Sequence, residues 1–190
     1  MLLIGLCGKI GVGKDFIAKK LSNYLIKHRI SNVILSFADQ LKINSMIGFE
    51  KTFEECFISK TESSRKFLQT YGTGCRDEYG ENIWIEYLEA WINVLSMRNV
   101  KIVIISDVRY KNEFDFIKSH NGMLIKIDAE LRNFSKIFEE TNGNSEKLKE
   151  IQQHVSETTM DNFPDEIYDI IVDNNDIIYN KMTAKILNFK

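Results

Sequence analysis

The segment between residues 8 and 15 constrains the fold of this 190-residue chain more than any other. Its sequence is Gly-Lys-Ile-Gly-Val-Gly-Lys-Asp, and it follows an apolar run at residues 1–7 that predicts a buried strand. Apolar residues then recur at helical spacing between residues 16 and 28. A strand, a glycine-rich loop and a helix in this order predict the start of a parallel α/β fold.

The spacing within this segment is typical of a phosphate-binding loop. That pattern is a glycine, four residues, Gly-Lys, and then Ser or Thr. Glycines allow the backbone to turn its N–H groups toward phosphates, and the lysine can bridge the β- and γ-phosphates. A glycine-rich turn that binds nothing is the alternative, and the strand–loop–helix setting disfavours it. The residues predicted to contact a nucleoside triphosphate are Gly8, Gly11, Val12, Gly13, Lys14, Asp15 and Phe16.

Asp15 stands where the pattern has a hydroxyl residue that contacts Mg²⁺. A carboxylate can also reach the metal, directly or through a water. Alternatively, Asp15 caps the helix that begins there, and the two roles are compatible.

The remaining pattern predicts a three-layer P-loop NTPase fold, in which a five-stranded parallel sheet carries helices on both faces. Four further strands are predicted at residues 32–37, 100–106, 123–127 and 168–172. Helices are predicted at residues 38–47, 61–71, 82–97, 111–119 and from 176 to about 187. We expect one domain over 1–190, with a helical substrate-binding region at 38–98 and a polar, lid-like insertion at 128–161.

Two details of the helical region are also predicted. A turn at Gly72-Thr73-Gly74 should close the helix 61–71. In the helix 82–97, the apolar stripe that includes Trp84, Tyr87 and Trp91 should lie in the core.

An acidic residue, Asp107, directly follows the apolar run at residues 100–106. The carboxyl end of a central parallel strand faces the crevice where open α/β sheets bind ligands, so Asp107 is a second candidate for holding Mg²⁺. Arg109 follows at the strand-to-helix turn and could stabilise phosphoryl charge. The alternatives are a helix N-cap for Asp107 and a surface ion pair with Glu113 for Arg109.

Composition excludes several classes of function. The formal net charge of −2 gives no basic excess, so we expect no nucleic-acid polymer as a partner. The three cysteines lack metal-type spacing, which favours reduced thiols in a cytoplasmic protein. No apolar stretch is long enough to cross a bilayer, so no membrane partner is expected. The aromatic-rich helix 82–97 could support a homodimer.

Arginine is scarce, with six residues against nineteen lysines. Because a guanidinium recognises phosphate or carboxylate bidentately, the arginines outside helix ends are candidate anion contacts. These are Arg65, Arg76, Arg109 and Arg132. Arg132 lies in the polar insertion, where a closing lid would exclude water from the phosphates.

Taken together, several segments resemble the deoxynucleoside monophosphate kinases of phages and large DNA viruses. The loop is similar to that family's Gly-Lys-Asp loop, and residues 37–42 resemble its substrate-side turn. Residues 65–73 resemble its helix ending in Gly-Thr, and Asp107-Val108-Arg109 with Glu113 resembles its Asp-x-Arg-x-x-x-Glu. Residues 154–157 and 172–175 resemble its late lid and final turn.

The resemblance implies transfer of the ATP γ-phosphoryl group, with Mg²⁺, to a deoxynucleoside monophosphate. It implies that Arg109 and Arg132 serve the phosphates, and that Asn174 and the neighbouring Asn175 lie near the adenine of ATP. The acceptor side would be formed by Ala38, Lys42, Arg65, Gln69, Thr73, Arg76 and Trp84.

The Gly-Lys-Asp loop is also similar to that of animal-type phosphomevalonate kinases. Those share the Ser-Asp-x-Arg strand end, which Ser106-Asp107-Val108-Arg109 matches, and a Ser-Glu followed by Asp-Asn-Phe, found here at 156–157 and 161–163. A kinase of another phosphorylated small molecule, of the phosphomevalonate or dephospho-coenzyme A type, therefore stays the alternative. A nucleotide-dependent ATPase or switch is a third class.

Overall fold

The computed structural model describes residues 1–58, 61–129 and 163–173, together with Ser135 and Ile186. The chain divides into two compact units. The first comprises residues 1–34 and 99–190, and the second comprises residues 35–98.

The first unit is built on a five-stranded sheet with strand order β2-β3-β1-β4-β5. The strands are β1 (Leu2–Cys7), β2 (Asn32–Leu35), β3 (Ile102–Val108), β4 (Met123–Asp128) and β5 (Ile170–Asp173). β1 pairs in parallel with both β3 and β4, and β4 pairs in parallel with β5. The predicted fold class is confirmed. The central position of β1 explains its unbroken apolar sequence, because helices cover both faces of such a sheet.

Among the described residues of the first unit, two helices pack on this sheet, α1 (Lys14–Lys27) and α5 (Lys111–Ser119). The buried residues of α1 are Ile17, Ala18, Leu21 and Leu25, a one-turn spacing that presents a single apolar face. This face joins one hydrophobic cluster with residues of β1, β3 and β4. The loop that precedes α1 is therefore held between a buried strand and a buried helix face.

The second unit is helical. It contains α2 (Ala38–Gly48), a π-helical turn (Glu54–Ile58), α3 (Glu62–Tyr79) and α4 (Ile83–Met97). Thr61 caps α3, because its side-chain oxygen accepts a hydrogen bond from the Ser64 amide at 3.2 Å.

The predicted turn at Gly72-Thr73-Gly74 is wrong, because α3 continues through all three residues to Tyr79. A glycine within a helix costs only about 1 kcal/mol, which tertiary packing can offset. Here Gly72 is buried, and a Cβ at this position would lie 3.2 Å from a methyl carbon of Leu41. Gly72 therefore allows close packing between helices, and the helix ends instead at Gly80, whose φ is 107°.

Helix α4 also differs in part from the expectation. Its buried residues are Trp84, Ile85, Leu88 and Ile92. Tyr87 and Trp91 were predicted to be core residues, but their side chains are 39% and 45% exposed. Trp91 keeps a polar partner, because its Nε1 donates to Gln40 Oε1 at 3.2 Å.

The last described elements of the first unit are a 3₁₀ turn (Asp165–Ile167) and β5. Most of the predicted lid at 128–161 and of the predicted C-terminal helix lies outside the described residues. None of the described helices combines the length and apolar character needed to span a bilayer.

Candidate active site

The phosphate-binding loop has a backbone that requires its glycines. Gly8, Gly11 and Gly13 have φ angles of 150°, 79° and 90°, in the region that side-chain-bearing residues rarely adopt. At Gly8 there is also no space, because a Cβ would lie 2.5 Å from the carbonyl oxygen of Ile127. The loop thus passes directly against β4 and turns into α1 at Gly13.

Lys14 is the first residue of α1, and its side chain folds back over the loop. Its Nζ donates to the carbonyl oxygens of Gly8 at 2.7 Å and Lys9 at 2.9 Å. The ammonium is therefore held at the loop and joins the positive end of the α1 dipole, an arrangement suited to an anion.

Asp15 lies one residue further along α1 and is exposed. The N-cap position of α1 is occupied by Gly13, so the alternative that Asp15 caps the helix is wrong. Its carboxylate still lies in the first turn, where negative charge is favourable. Its contact with Mg²⁺ stays a prediction.

Strand β3 carries an irregularity where it passes the loop. Gly5 pairs with Ile105, but Cys7 pairs with Val108, so β3 uses three residues where β1 uses two. The extra residue is Ser106 or Asp107. Asp107 was expected to follow the strand directly, but it lies within β3. Bulges change the direction of side chains and occur often beside active sites. The pairing of Cys7 with Val108 places half-buried Asp107 beside the strand end that leads into the phosphate-binding loop.

Glu113 organises the turn that follows. This buried carboxylate accepts hydrogen bonds from the amides of Arg109 at 2.7 Å and Tyr110 at 3.0 Å. The N-cap of α5 is Tyr110, so the N-cap alternative for Asp107 is wrong. The expected alternative was a surface ion pair between the Arg109 side chain and Glu113. The structure shows that the Glu113 carboxylate binds the backbone amide of Arg109. Sequence reasoning gave Glu113 no positioning role, because the capping-box signal needs a residue such as Ser or Thr at the N-cap and this position holds Tyr110.

Cys7 lies beneath the loop as an unreactive thiol. Burial, with a smaller contribution from the charge of Glu113, raises the pKa of Cys7 well above its ordinary value of 9.0. The thiol is therefore protonated at neutral pH, and we assign it no chemistry.

Within the described residues, no three His, Cys, Asp or Glu side chains form a group able to hold a metal ion. Mg²⁺ is usually bound by one or two carboxylates together with substrate phosphates and waters. Asp107 beside the loop, with Asp15 on α1, suits that mode of binding.

In the second unit, the corrected length of α3 changes how its predicted contacts are arranged. The residues involved follow one another at intervals of four, four and three, so all lie on one face of a continuous helix. We call them the polar face of α3, and they are Arg65, Gln69, Thr73 and Arg76. A turn at residues 72–74 would have removed Arg76 from this face.

Lys42 lies in α2 with its side chain only 11% exposed. Its Nζ is 3.0 Å from Asp39 Oδ1 and 4.7 Å from the centre of the Phe57 ring. Ala38 begins α2, and its amide donates to Ser36 Oγ at 3.1 Å. Sequence reasoning selected Lys42 but neither of its neighbours, because no sequence pattern relates Phe57 to α2.

Trp84 is 4% exposed, and its Nε1 donates to the Gly72 carbonyl oxygen at 3.1 Å. In this position the Trp84 side chain is packed against α3, so any influence of Trp84 on a base pocket would act through that helix. Two further predicted contacts, Arg132 and Asn174, lie outside the described residues.

The parallel sheet, with a glycine loop between β1 and α1 and a lysine held over that loop, defines a P-loop nucleotide-binding fold. Two solved structures share this fold. The Mycobacterium tuberculosis APS kinase CysC, in complex with AMPPNP and APS, gives a TM-score of 0.54 at 12% identity, covering 99% of this chain and 96% of that one. A protein designated APE1195 gives 0.53 at 18% identity, covering 98% and 93%.

Similarity to a curated viral protein identifies the family of the chain. The Acanthamoeba polyphaga mimivirus protein named "Putative deoxynucleotide monophosphate kinase" is 36% identical over 148 residues, covering 67% of this chain and 74% of its own length. No family model matches the chain. The chain belongs to the deoxynucleotide monophosphate kinase family, and it is a phosphotransferase of the nucleotide-kinase type.

Proposed function

We propose that this protein transfers the γ-phosphoryl group of ATP to a deoxynucleoside monophosphate, giving ADP and a deoxynucleoside diphosphate. The observation that carries the proposal is the polar face of α3. It places two guanidinium groups and an amide in phase on one helix, which suits an acceptor with both an anionic group and a polar base. The name of the mimivirus relative supports the same substrate class.

On the ATP side, the loop amides and Lys14 would bind the β- and γ-phosphates. The Lys14 ammonium already lies within 2.9 Å of two loop carbonyls, so binding phosphate would exchange those acceptors for charged ones. Mg²⁺, held through Asp107 and Asp15, would neutralise charge on the phosphate oxygens. Arg109 would add a further cation, on a backbone that Glu113 fixes.

On the acceptor side, Lys42 and the arginines of α3 would bind the monophosphate. The attacking oxygen is a phosphate oxygen that is already anionic at neutral pH, so no general base is needed. Catalysis then consists of positioning the acceptor in line and stabilising charge on the transferred group.

A coupled ADP-release assay with ATP tests the proposal. The acceptors are dGMP, dTMP, dCMP, dAMP, dUMP, the ribonucleotides, phosphomevalonate and dephospho-coenzyme A. We expect turnover with one or more deoxynucleotides and little ADP release without an acceptor. A Lys14→Ala protein, purified in parallel, controls for contaminating kinases.

Two results would refute the proposal. Turnover confined to phosphomevalonate or dephospho-coenzyme A would assign the chain to another group of P-loop kinases. Rapid ATP hydrolysis that no acceptor accelerates would indicate an ATPase.

A further inference from the structure

The Lys42 ammonium is buried with spare hydrogen-bonding capacity. Its side chain is 11% exposed, and Asp39 Oδ1 is its one hydrogen-bond partner within the described part of the chain. An ammonium carries three N–H donors, so two have no hydrogen-bond acceptor among the described residues. Because a buried charge is costly unless its donors are satisfied, this arrangement favours an anionic ligand.

Asp39 is itself fixed in place. Its Oδ2 accepts a hydrogen bond from the Ser36 amide at 2.8 Å, which ties the carboxylate to the start of α2. Lys42 lies three residues later and reaches back to the other oxygen. One side of the ammonium is therefore anchored to the helix that carries it.

Phe57 covers a second side of the same ammonium. Its ring centre is 4.7 Å from Lys42 Nζ, within the distance at which a cation is attracted by a ring face. The ring is held in turn by Phe53, which stacks on it at 4.8 Å between centres and 17° between planes.

The backbone beneath Phe57 is unusual. Residues Glu54–Ile58 form one turn of π-helix, a rare conformation that occurs often at functional sites. Thr52 and Glu55 fix its start by reciprocal hydrogen bonds: the Thr52 amide donates to Glu55 at 2.9 Å, and the Glu55 amide donates to Thr52 at 3.2 Å. The hydrogen bonds that the Glu55 carboxylate accepts from the Thr52 amide and the Thr52 hydroxyl lower the pKa of Glu55.

We propose that Phe57 is a positioning residue for acceptor binding. With Asp39 it confines the Lys42 ammonium, so that the two remaining N–H donors face a smaller range of directions when the acceptor's phosphate arrives. This rests on the proposed function in that the acceptor carries a phosphate, but not on which base or sugar it bears. Pre-organisation of this kind raises affinity because less conformational entropy is lost when the flexible lysine side chain is ordered on binding.

A second lysine–phenylalanine pair in the same unit supplies a matched control. Lys51 Nζ lies 5.0 Å from the centre of the Phe67 ring and 3.8 Å from Glu55 Oε1. Neither Lys51 nor Phe67 is assigned a ligand contact. Loss of the Phe67 ring therefore removes a similar interaction that should not affect the acceptor.

The experiment compares full-length Phe57→Leu, Phe57→Tyr and Phe67→Leu proteins. We expect Phe57→Leu to raise the KM for the best acceptor of the panel by about 3- to 30-fold, the range of a cation–π contact. Its kcat and its KM for ATP should stay within about twofold of wild type, since the contact acts on binding alone. Phe57→Tyr keeps the ring face and should restore the KM. Equal KM increases in the two leucine variants would overturn the proposal, because Phe57 would then act through packing alone.

A second measurement needs no knowledge of the acceptor. Lys42 acetylation by acetic anhydride is followed by peptide mass spectrometry, with and without inorganic phosphate. We expect slow acetylation in wild type, faster acetylation in Phe57→Leu, and protection by phosphate that is weaker in that variant. If phosphate fails to protect Lys42 in wild type, the proposal is wrong even where deoxynucleotides are turned over. If no deoxynucleotide is a substrate but phosphate protects Lys42, the substrate assignment fails and this inference stands.

Discussion

The phosphate-binding loop and helix α3 present ligand contacts in different ways. In the loop, contacts would come from backbone amides, and the backbone conformation requires glycine at particular positions, such as Gly8 against the Ile127 carbonyl. On α3, contacts would come from side chains of a regular helix, where only the phase of a residue matters. The comparison indicates that the phosphate-binding loop tolerates little sequence change, whereas the polar face of α3 can change its side chains without a change of backbone.

The largest expected effect lies on the loop side of this comparison. Replacing Lys14 with alanine removes the ammonium that donates hydrogen bonds to two loop carbonyls, and we expect kcat to fall by about a hundredfold or more. Thermal unfolding should change little, because the Lys14 side chain is not part of the core. Lys19→Ala, an exposed position on the same helix, is the control. A Lys14→Ala enzyme with near-normal kcat would rule out the loop as the ATP site.

On the helix side, the effect should fall on the acceptor alone. Replacing Arg65 or Arg76 with alanine removes a charge-assisted contact, so the acceptor KM should rise about ten- to a hundredfold. The KM for ATP should stay unchanged. Thr70→Ala, an exposed position of α3 outside the polar face, should leave both constants as they are. An equal rise in the KM for ATP and in the KM for the acceptor would contradict the assignment of α3 to acceptor binding alone.

A smaller effect tests whether α3 is one helix. Gly74 lies in its interior, and no atom lies within 4 Å of the position a Cβ would occupy. Gly74→Ala should therefore raise the free energy of unfolding by about 0.5–1 kcal/mol, as measured in urea. Were residues 72–74 a turn with positive φ, the same change would destabilise the protein.

The smallest effect concerns the thiol beneath the loop. Because burial raises the pKa of Cys7 in the folded state, the unfolded chain releases this proton at lower pH than the folded protein does. The contribution of Cys7 to the free energy of unfolding is therefore fully present below the ordinary pKa of 9.0. Above that pH it is lost, by up to about 1.4 kcal/mol per pH unit.

Comparing urea unfolding of wild type and Cys7→Ala between pH 8 and pH 10 isolates this contribution. The variant should show a shallower decline with pH, whatever its absolute stability. Parallel slopes would mean that Cys7 is not shielded, and that the strand end leading into the loop opens more readily than its burial indicates.

The two regions also differed in how far sequence could predict them. The loop was predicted at its observed place, although α1 begins at Lys14 rather than Phe16, because its glycine spacing encodes a local conformation next to an apolar strand and an amphipathic helix. Helix α3 was predicted eight residues too short, ending at Tyr71 instead of Tyr79, because two glycines normally indicate a turn. What overrides that signal is a long-range contact of Gly72 with Leu41, which no local pattern contains.

Other features had no signal that a single sequence could supply. The irregularity of β3 near Asp107 depends on its pairing with β1, and the strand reads as regular when taken alone. The association of Phe57 with Lys42 depends on the path of the chain between α2 and α3. Glu113 has the spacing of a capping box from Tyr110, but a tyrosine at the N-cap lacks the short polar side chain by which a sequence reveals that motif.

The continuity of α3 has a consequence for the size of what its polar face can bind. Arg65 and Arg76 are eleven residues apart, so a straight helix separates their Cα atoms by about 16 Å. One phosphate group is far smaller than that distance, so two arginines in extended conformations would contact different parts of a ligand. A ligand of nucleotide length could contact both arginines in extended conformations, whereas a single phosphate could contact both only if the two side chains bend toward each other.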